Sequence, residues 1–176
     1  MADVFVSYSR RDSDFVKRLV NRFTQDGRDV WVDWEDIPRA ADWLQEIYAG
    51  IEAANTFVFV VSSHSLTSEI CNHELGRALE LKKRIVPLIR EDIQGEVETQ
   101  VTDHWTGQEW HQIAESNWTA IRHLNWLFFN TDDSAQFNKE YAALSETLDA
   151  DLDYIKLHTR LLAPDSPDYR RECPDC

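Results

Sequence analysis

One carboxylate in this chain stands where it could act as a reagent. Glu74 lies in the stretch Ser68-Glu69-Ile70-Cys71-Asn72-His73-Glu74-Leu75. That stretch follows Phe57-Val58-Phe59-Val60-Val61, an apolar run closed by Ser62-Ser63. A run of β-branched and aromatic residues ending in serines reads as a buried strand leaving a sheet. Cys71, Leu75, Ala78 and Leu79 then recur at helical spacing, which predicts an amphipathic helix running to about Lys82. Glu74 thus falls in the first turns of a helix near the carboxyl edge of a sheet, where open parallel sheets bind their ligands. A carboxylate in such a crevice can accept hydrogen bonds from hydroxyl groups and oppose developing positive charge. On a solvated helix face it would be only a surface charge.

The elements that must position Glu74 alternate along the chain. Strand one is predicted at about Val4–Ser7. The helix after it has Phe15, Val16, Leu19, Val20 and Phe23 on one face, Asp12 or Ser13 as its cap, and Gly27 at its end. Strand two covers about Val30–Asp33, and a loop containing Pro38 follows. Asp42 can cap the next helix, with Gln45 completing a capping box and Leu44, Ile47, Ile51 and Ala54 on its apolar face. Strand three is Phe57–Ser62. Strand four is Ile85–Ile89, and its internal Pro87 predicts an edge or irregular position because proline lacks the amide donor. Strand five covers about Leu124–Phe129. A last helix from about Ala135 has Phe137, Tyr141, Leu144, Leu148, Leu152 and Ile155 in one stripe, and Asp133 and Gln136 fit its capping box. Alternating strands and helices imply a parallel sheet covered on both faces.

Residues 91–123 are polar and hold Trp105, Trp110 and Trp118. They read as short helices pinned to the body by their tryptophans, or as a contact surface or lid. The tail, residues 163–176, has three prolines and alternating charge and reads as a linker or tail leading to a further domain.

A chain of 176 residues is one ordinary domain. No run approaches a membrane span, and no secretory leader is legible. Three cysteines make no disulfide framework, so a reducing, cytoplasmic setting is expected. The net charge of -14 argues against nonspecific nucleic-acid or anionic-membrane binding. An anionic ligand would need local cations, and Arg10 and Arg11 are suitably placed. They sit between strand one and a helix start, a position that suits phosphate, although they could simply offset Asp12 and Asp14.

Three segments in register carry a family resemblance: Asp3-Val4-Phe5-Val6-Ser7-Tyr8-Ser9-Arg10-Arg11-Asp12, then Asp29-Val30-Trp31-Val32-Asp33-Trp34, then the Ser68–Leu75 stretch. They resemble the box motifs of TIR (Toll/interleukin-1 receptor) domains, and more particularly the N-terminal TIR domains of multidomain bacterial proteins. The resemblance implies a flavodoxin-like three-layer α/β sandwich over residues 1–162, with a five-stranded parallel sheet flanked by helices and an insert at about 91–123. In the NAD-cleaving members the essential glutamate falls on Glu74. Ser7, Tyr8, Arg10, Arg11, Asp33, Trp43 and Ser62 are the expected substrate-binding residues. Ile37, Pro38 and Arg39 occupy the family's BB loop, which packs on a neighbouring domain. The resemblance thus implies self-association with other TIR domains, NAD as substrate, no bound cofactor or metal, and a role in signalling or antiphage defence.

Breaking the nicotinamide–ribose bond releases a neutral pyridine from a cationic ring through an oxocarbenium-like transition state. One preorganised carboxylate near the ribose is sufficient for that chemistry. The alternative is a noncatalytic TIR–TIR interaction module. Two departures bear on the choice. Many NAD-cleaving members have a tryptophan where this chain has Ile70, and no glycine occurs between Gly27 and Gly50. Cys173 and Cys176 give half a zinc site by spacing, without a second pair. Ser62-Ser63 and Asn130-Thr131 stand where a response-regulator receiver would need an aspartate and a lysine.

Overall fold

The computed structural model describes residues 3–32 and 43–150. Asp33, Trp34, Ile37, Pro38, Arg39, Asp42 with its capping box, Leu152, Ile155 and the tail at 163–176 lie outside the described residues. Strands β1 (Val4–Ser7), β2 (Val30–Val32), β3 (Thr56–Val61), β4 (Arg84–Ile89) and β5 (Leu127–Phe128) form one sheet in the order β2-β1-β3-β4-β5. Every pairing is parallel. The helices are α1 (Ser13–Gln25), α2 (Trp43–Ala53), α3 (Ser63–Leu66), α4 (Glu69–Glu80), α5 (Glu96–Trp105), α6 (His111–Ile121) and α7 (Ser134–Ala150). This is the expected flavodoxin-like α/β architecture.

Strand alternation divides the core into two layers. Phe5, Phe57, Phe59 and Val61 point to one face and meet Ile47 and Ile51 of α2, Leu75 and Ala78 of α4, and the α5–α6 segment. Val4, Val6, Val58 and Val60 point to the other and meet α1 and α7. On the first face Phe5 stacks on Trp31 at 4.5 Å and on Phe57 at 5.3 Å, joining three strands at one register. Gly50 lets α2 close over that ladder, because a Cβ there would lie 2.8 Å from the Trp31 ring.

The expected apolar stripes are buried: Phe15, Val16, Leu19 and Phe23 on α1, and Phe137, Tyr141, Leu144 and Leu148 on α7. Gly27 ends α1 with φ +74°. The Arg28 amide donates to the Phe23 carbonyl and the Gly27 amide to the Thr24 carbonyl, the paired bonds of a Schellman end. The same bonds close α4 through Lys83 to Ala78 and Lys82 to Leu79, but here Lys82 takes the left-handed conformation, φ +53°. Asp133 caps α7 by accepting from the Gln136 amide at 2.8 Å; the Gln136 side chain turns forward to Glu140 rather than back to close the box.

Three expectations are corrected. Asp12 is not a side-chain cap of α1; a single 3-10 turn, Arg10–Asp12, precedes that helix, and the Asp12 carboxylate accepts from Ser62 Oγ at 2.7 Å instead. Strand five shrinks to two residues because the segment before it closes α6: the Leu124 amide and Trp126 Nε1 both donate to the Ile121 carbonyl. Pro87 lies within a strand that has neighbours on both sides, but β5 pairs only with Leu88 and Ile89, so β4 has no strand partner beside Pro87 on that side.

Residues 91–123 form α5 and α6, and their tryptophans are the pins. Trp105 is 1% exposed and its Nε1 donates to the Leu66 carbonyl at 2.8 Å; Trp118 Nε1 donates to Glu98 at 3.0 Å.

Candidate active site

The strand order reverses between β1 and β3, and the ends of those strands define the crevice where such sheets take ligands. Ser7 ends β1 and Ser62 follows β3. Helix α3 begins immediately, with Ser62 and Ser65 forming a reciprocal capping box. Helix α4 then starts at its own cap, Ser68, whose Oγ accepts from the Cys71 amide. Two helix starts in eight residues turn the chain back across the sheet edge and bring Glu74 over Ser7.

Glu74 is 5% exposed, and Ser7 Oγ donates to its Oε2 at 2.5 Å. Both residues are buried beneath a cavity of about 310 Å³ whose wall includes Tyr8, Arg10, Arg11, Ser68, Ile70, Cys71 and Glu74. That volume lies at the lower end of small-molecule sites, about 300–1,000 Å³. One side of the cavity offers a carboxylate held by a hydroxyl, and another offers two arginines. The arrangement can hold a hydroxylated, anionic ligand with a bond near Glu74 that develops positive charge on breaking.

Cys71 is not a nucleophile here. Burial, and then the neighbouring Glu74, push its pKa up to about 12, and its Sγ donates to the Tyr8 carbonyl at 3.4 Å. The thiol stays protonated near neutrality, and thiolate is the reactive form.

Behind the site stands a buried amide pair. Asn72 is 1% exposed, and its Nδ2 donates to the Leu66 and Ser68 carbonyls, both at 2.9 Å. Asn117 of α6 donates to the Asn72 carbonyl at 2.8 Å. With Trp105 also donating to Leu66, the α5–α6 segment fixes the α3–α4 corner that carries Glu74.

Of the residues expected at the site, the structure gathers Ser7, Tyr8, Arg10, Arg11 and Glu74. Ser62 does not line the cavity; it bridges α3 to Asp12 one layer back. Trp43 is the first residue of α2. Ile70, expected as a departure from the family pattern, is part of the cavity wall. Ser68 and Asn72 were not singled out from the sequence. The signal for Asn72 is a polar residue sharing the apolar helical stripe of Cys71 and Leu75.

A family model described as TIR domain matches residues 4–144. The chain therefore belongs to the TIR domain family. Two solved structures extend the fold match. The TIR domain of the Toll-related receptor TRR-2 from Hydra magnipapillata has a TM-score of 0.60 at 17% identity, covering 84% of this chain and 98% of that one. The TIR domains of the activated Roq1 resistosome, which directly recognises the pathogen effector XopQ, have a TM-score of 0.69 at 19% identity, covering 84% and 99%. No curated protein matches the chain in sequence. Among the described residues no helix is long and apolar enough to cross a membrane.

Proposed function

We propose that this TIR domain hydrolyses NAD at the nicotinamide–ribose bond, with Glu74 as its catalytic residue. The observation that carries the reading is the buried Glu74 carboxylate, oriented by Ser7 at the wall of a cavity on the switch point. As the bond breaks, its electron pair passes to the pyridinium nitrogen and neutralises it. The ribosyl carbon becomes oxocarbenium-like, and Glu74 stabilises that charge while accepting hydrogen bonds from the ribose hydroxyls. Water attack and loss of a proton give ADP-ribose; attack by the substrate's own adenine gives a cyclic product. Arg10 and Arg11 hold the pyrophosphate, and Tyr8 lines the sugar's approach.

Self-association is part of the proposal. TIR domains act in assemblies, and the segment with Ile37, Pro38 and Arg39 is the proposed contact with a neighbouring copy in a cytoplasmic signalling or defence complex. The competing reading, a noncatalytic interaction module, is favoured by one observation: Ile70 gives the cavity an aliphatic wall where many NAD-cleaving members have an aromatic ring. Incubating concentrated protein with NAD and separating the products decides between them. Nicotinamide release whose specific activity rises with protein concentration supports the enzyme. No release at any concentration, from protein that assembles, supports the module.

A further inference from the structure

A second cavity, of about 410 Å³, adjoins the first, and Arg11 lines both. It lies where the chain leaves β1, β4 and β5, and Arg18 and Arg90 complete its cationic lining. Each of these two guanidinium groups is held in place. Arg18 lies flat over Phe137, 3.9 Å from the ring centre, and donates to the Asp132 carbonyl at 3.3 Å. Arg90 donates to the Phe129 carbonyl at 2.7 Å and to the Asp132 carboxylate at 2.5 Å, and its guanidinium carbon lies 5.2 Å from the Phe15 ring centre. Side chains fixed this way lose little further entropy when they bind a ligand.

The carboxylates at this cavity do not cancel its charge. Asp132 is matched by Arg90. Asp14 is fully exposed and lies 3.6 Å from Lys17. Asp12 accepts from Ser62, and burial raises its carboxyl pKa, which weakens its hold on a proton-free form. Among the described residues neither Arg11 nor Arg18 is ion-paired with a carboxylate. Two uncompensated guanidinium groups sharing one cavity are unusual in a chain of net charge -14. Like charges gathered this way repel unless an anion joins them, and planar guanidinium groups match phosphate oxygens in forked pairs.

We propose that this second cavity binds a pyrophosphate group, free or as part of a nucleoside diphosphate, through Arg11, Arg18 and Arg90. The site does not depend on cleavage of NAD at Glu74, and Arg18 and Arg90 lie outside the first cavity.

The test is calorimetric titration of the whole chain with inorganic pyrophosphate and, separately, with ADP. Wild-type protein should bind, with affinity that falls as KCl rises. Arg18→Gln should weaken binding about tenfold or more, as expected for one charge-assisted contact. Arg18→Lys, which keeps the charge, should recover part of that loss and guards against a misfolded variant. Arg10→Ala, in the first cavity alone, should change affinity less than twofold. Equal affinity for the two probes assigns the site to free pyrophosphate; ADP binding tenfold tighter assigns it to a nucleotide. Absence of binding to wild-type protein overturns the proposal. So does binding that survives Arg18→Gln and is lost in Arg10→Ala, because the anion would then occupy the first cavity.

Discussion

On one face of the sheet α1 and α7 bury Phe15, Val16, Leu19, Phe23, Phe137, Tyr141, Leu144 and Leu148, whereas on the other α4 and α6 bury Asn72, Glu74 and Asn117 among their apolar neighbours. Buried polar groups are costly unless each finds partners, and here the partners span distant segments. Ser7 reaches Glu74 across 67 positions, and Asn117 reaches Asn72 across 45. The α1–α7 face therefore needs only the right volume in the right stripe. The α4–α6 face needs specific pairs, and those pairs converge on the cavity. Stability without site geometry belongs to the first face; stability coupled to geometry belongs to the second.

Substitutions on the two faces should separate these roles. Leu144→Ala, in the fully buried stripe of α7, should cost about 2–5 kcal/mol in denaturant unfolding. NAD turnover per folded molecule should stay near wild type, and a selective loss of turnover would break the comparison. The double change Arg10→Ala and Arg11→Ala should raise KM for NAD roughly 10- to 100-fold with a smaller effect on kcat, since the pyrophosphate is remote from the breaking bond. A collapsed kcat with unchanged KM would assign these arginines to the chemistry or the fold. Asn117→Ala on α6 should cost about 1–3 kcal/mol, because it leaves the Asn72 carbonyl without that donor. Unlike Leu144→Ala it should also lower kcat in the folded fraction, which activity measured well below the melting temperature would reveal. The smallest effect has the opposite sign. Lys82→Gly, at the left-handed residue closing α4, should raise stability by about 1 kcal/mol, seen as a higher denaturation midpoint.

Much of this architecture is legible in the sequence because it follows from periodicity. The α1 and α7 stripes, the apolar β3 run and the place of Glu74 beyond it need only local pattern, as does Gly27 at the end of α1. What local pattern misses is partner choice. Asp12 stands where a cap belongs, yet Ser62, 50 positions away, takes its carboxylate. Gly50 reads as an ordinary helix residue until Trp31 lies against it. The α4 end takes Lys82 where glycine is the usual signal, so it is recognised by its hydrogen bonds and not by composition. Strand five is shorter than its apolar run because Trp126 is used to close α6. At the site, the family motif marks Glu74, but Ser7 as its hydrogen-bond donor and Asn72 as its support emerge only when β1, α4 and α6 are brought together.

The most direct test of the account compares nicotinamide release by wild-type protein and Glu74→Gln at the same high concentration. The substitution keeps the side chain's size and removes its negative charge. The account predicts measurable release by the wild type, a fall of about 10²–10³ in Glu74→Gln, and an unchanged circular dichroism spectrum. Equal release by the two proteins would contradict the central claim that the buried Glu74 carboxylate performs the chemistry.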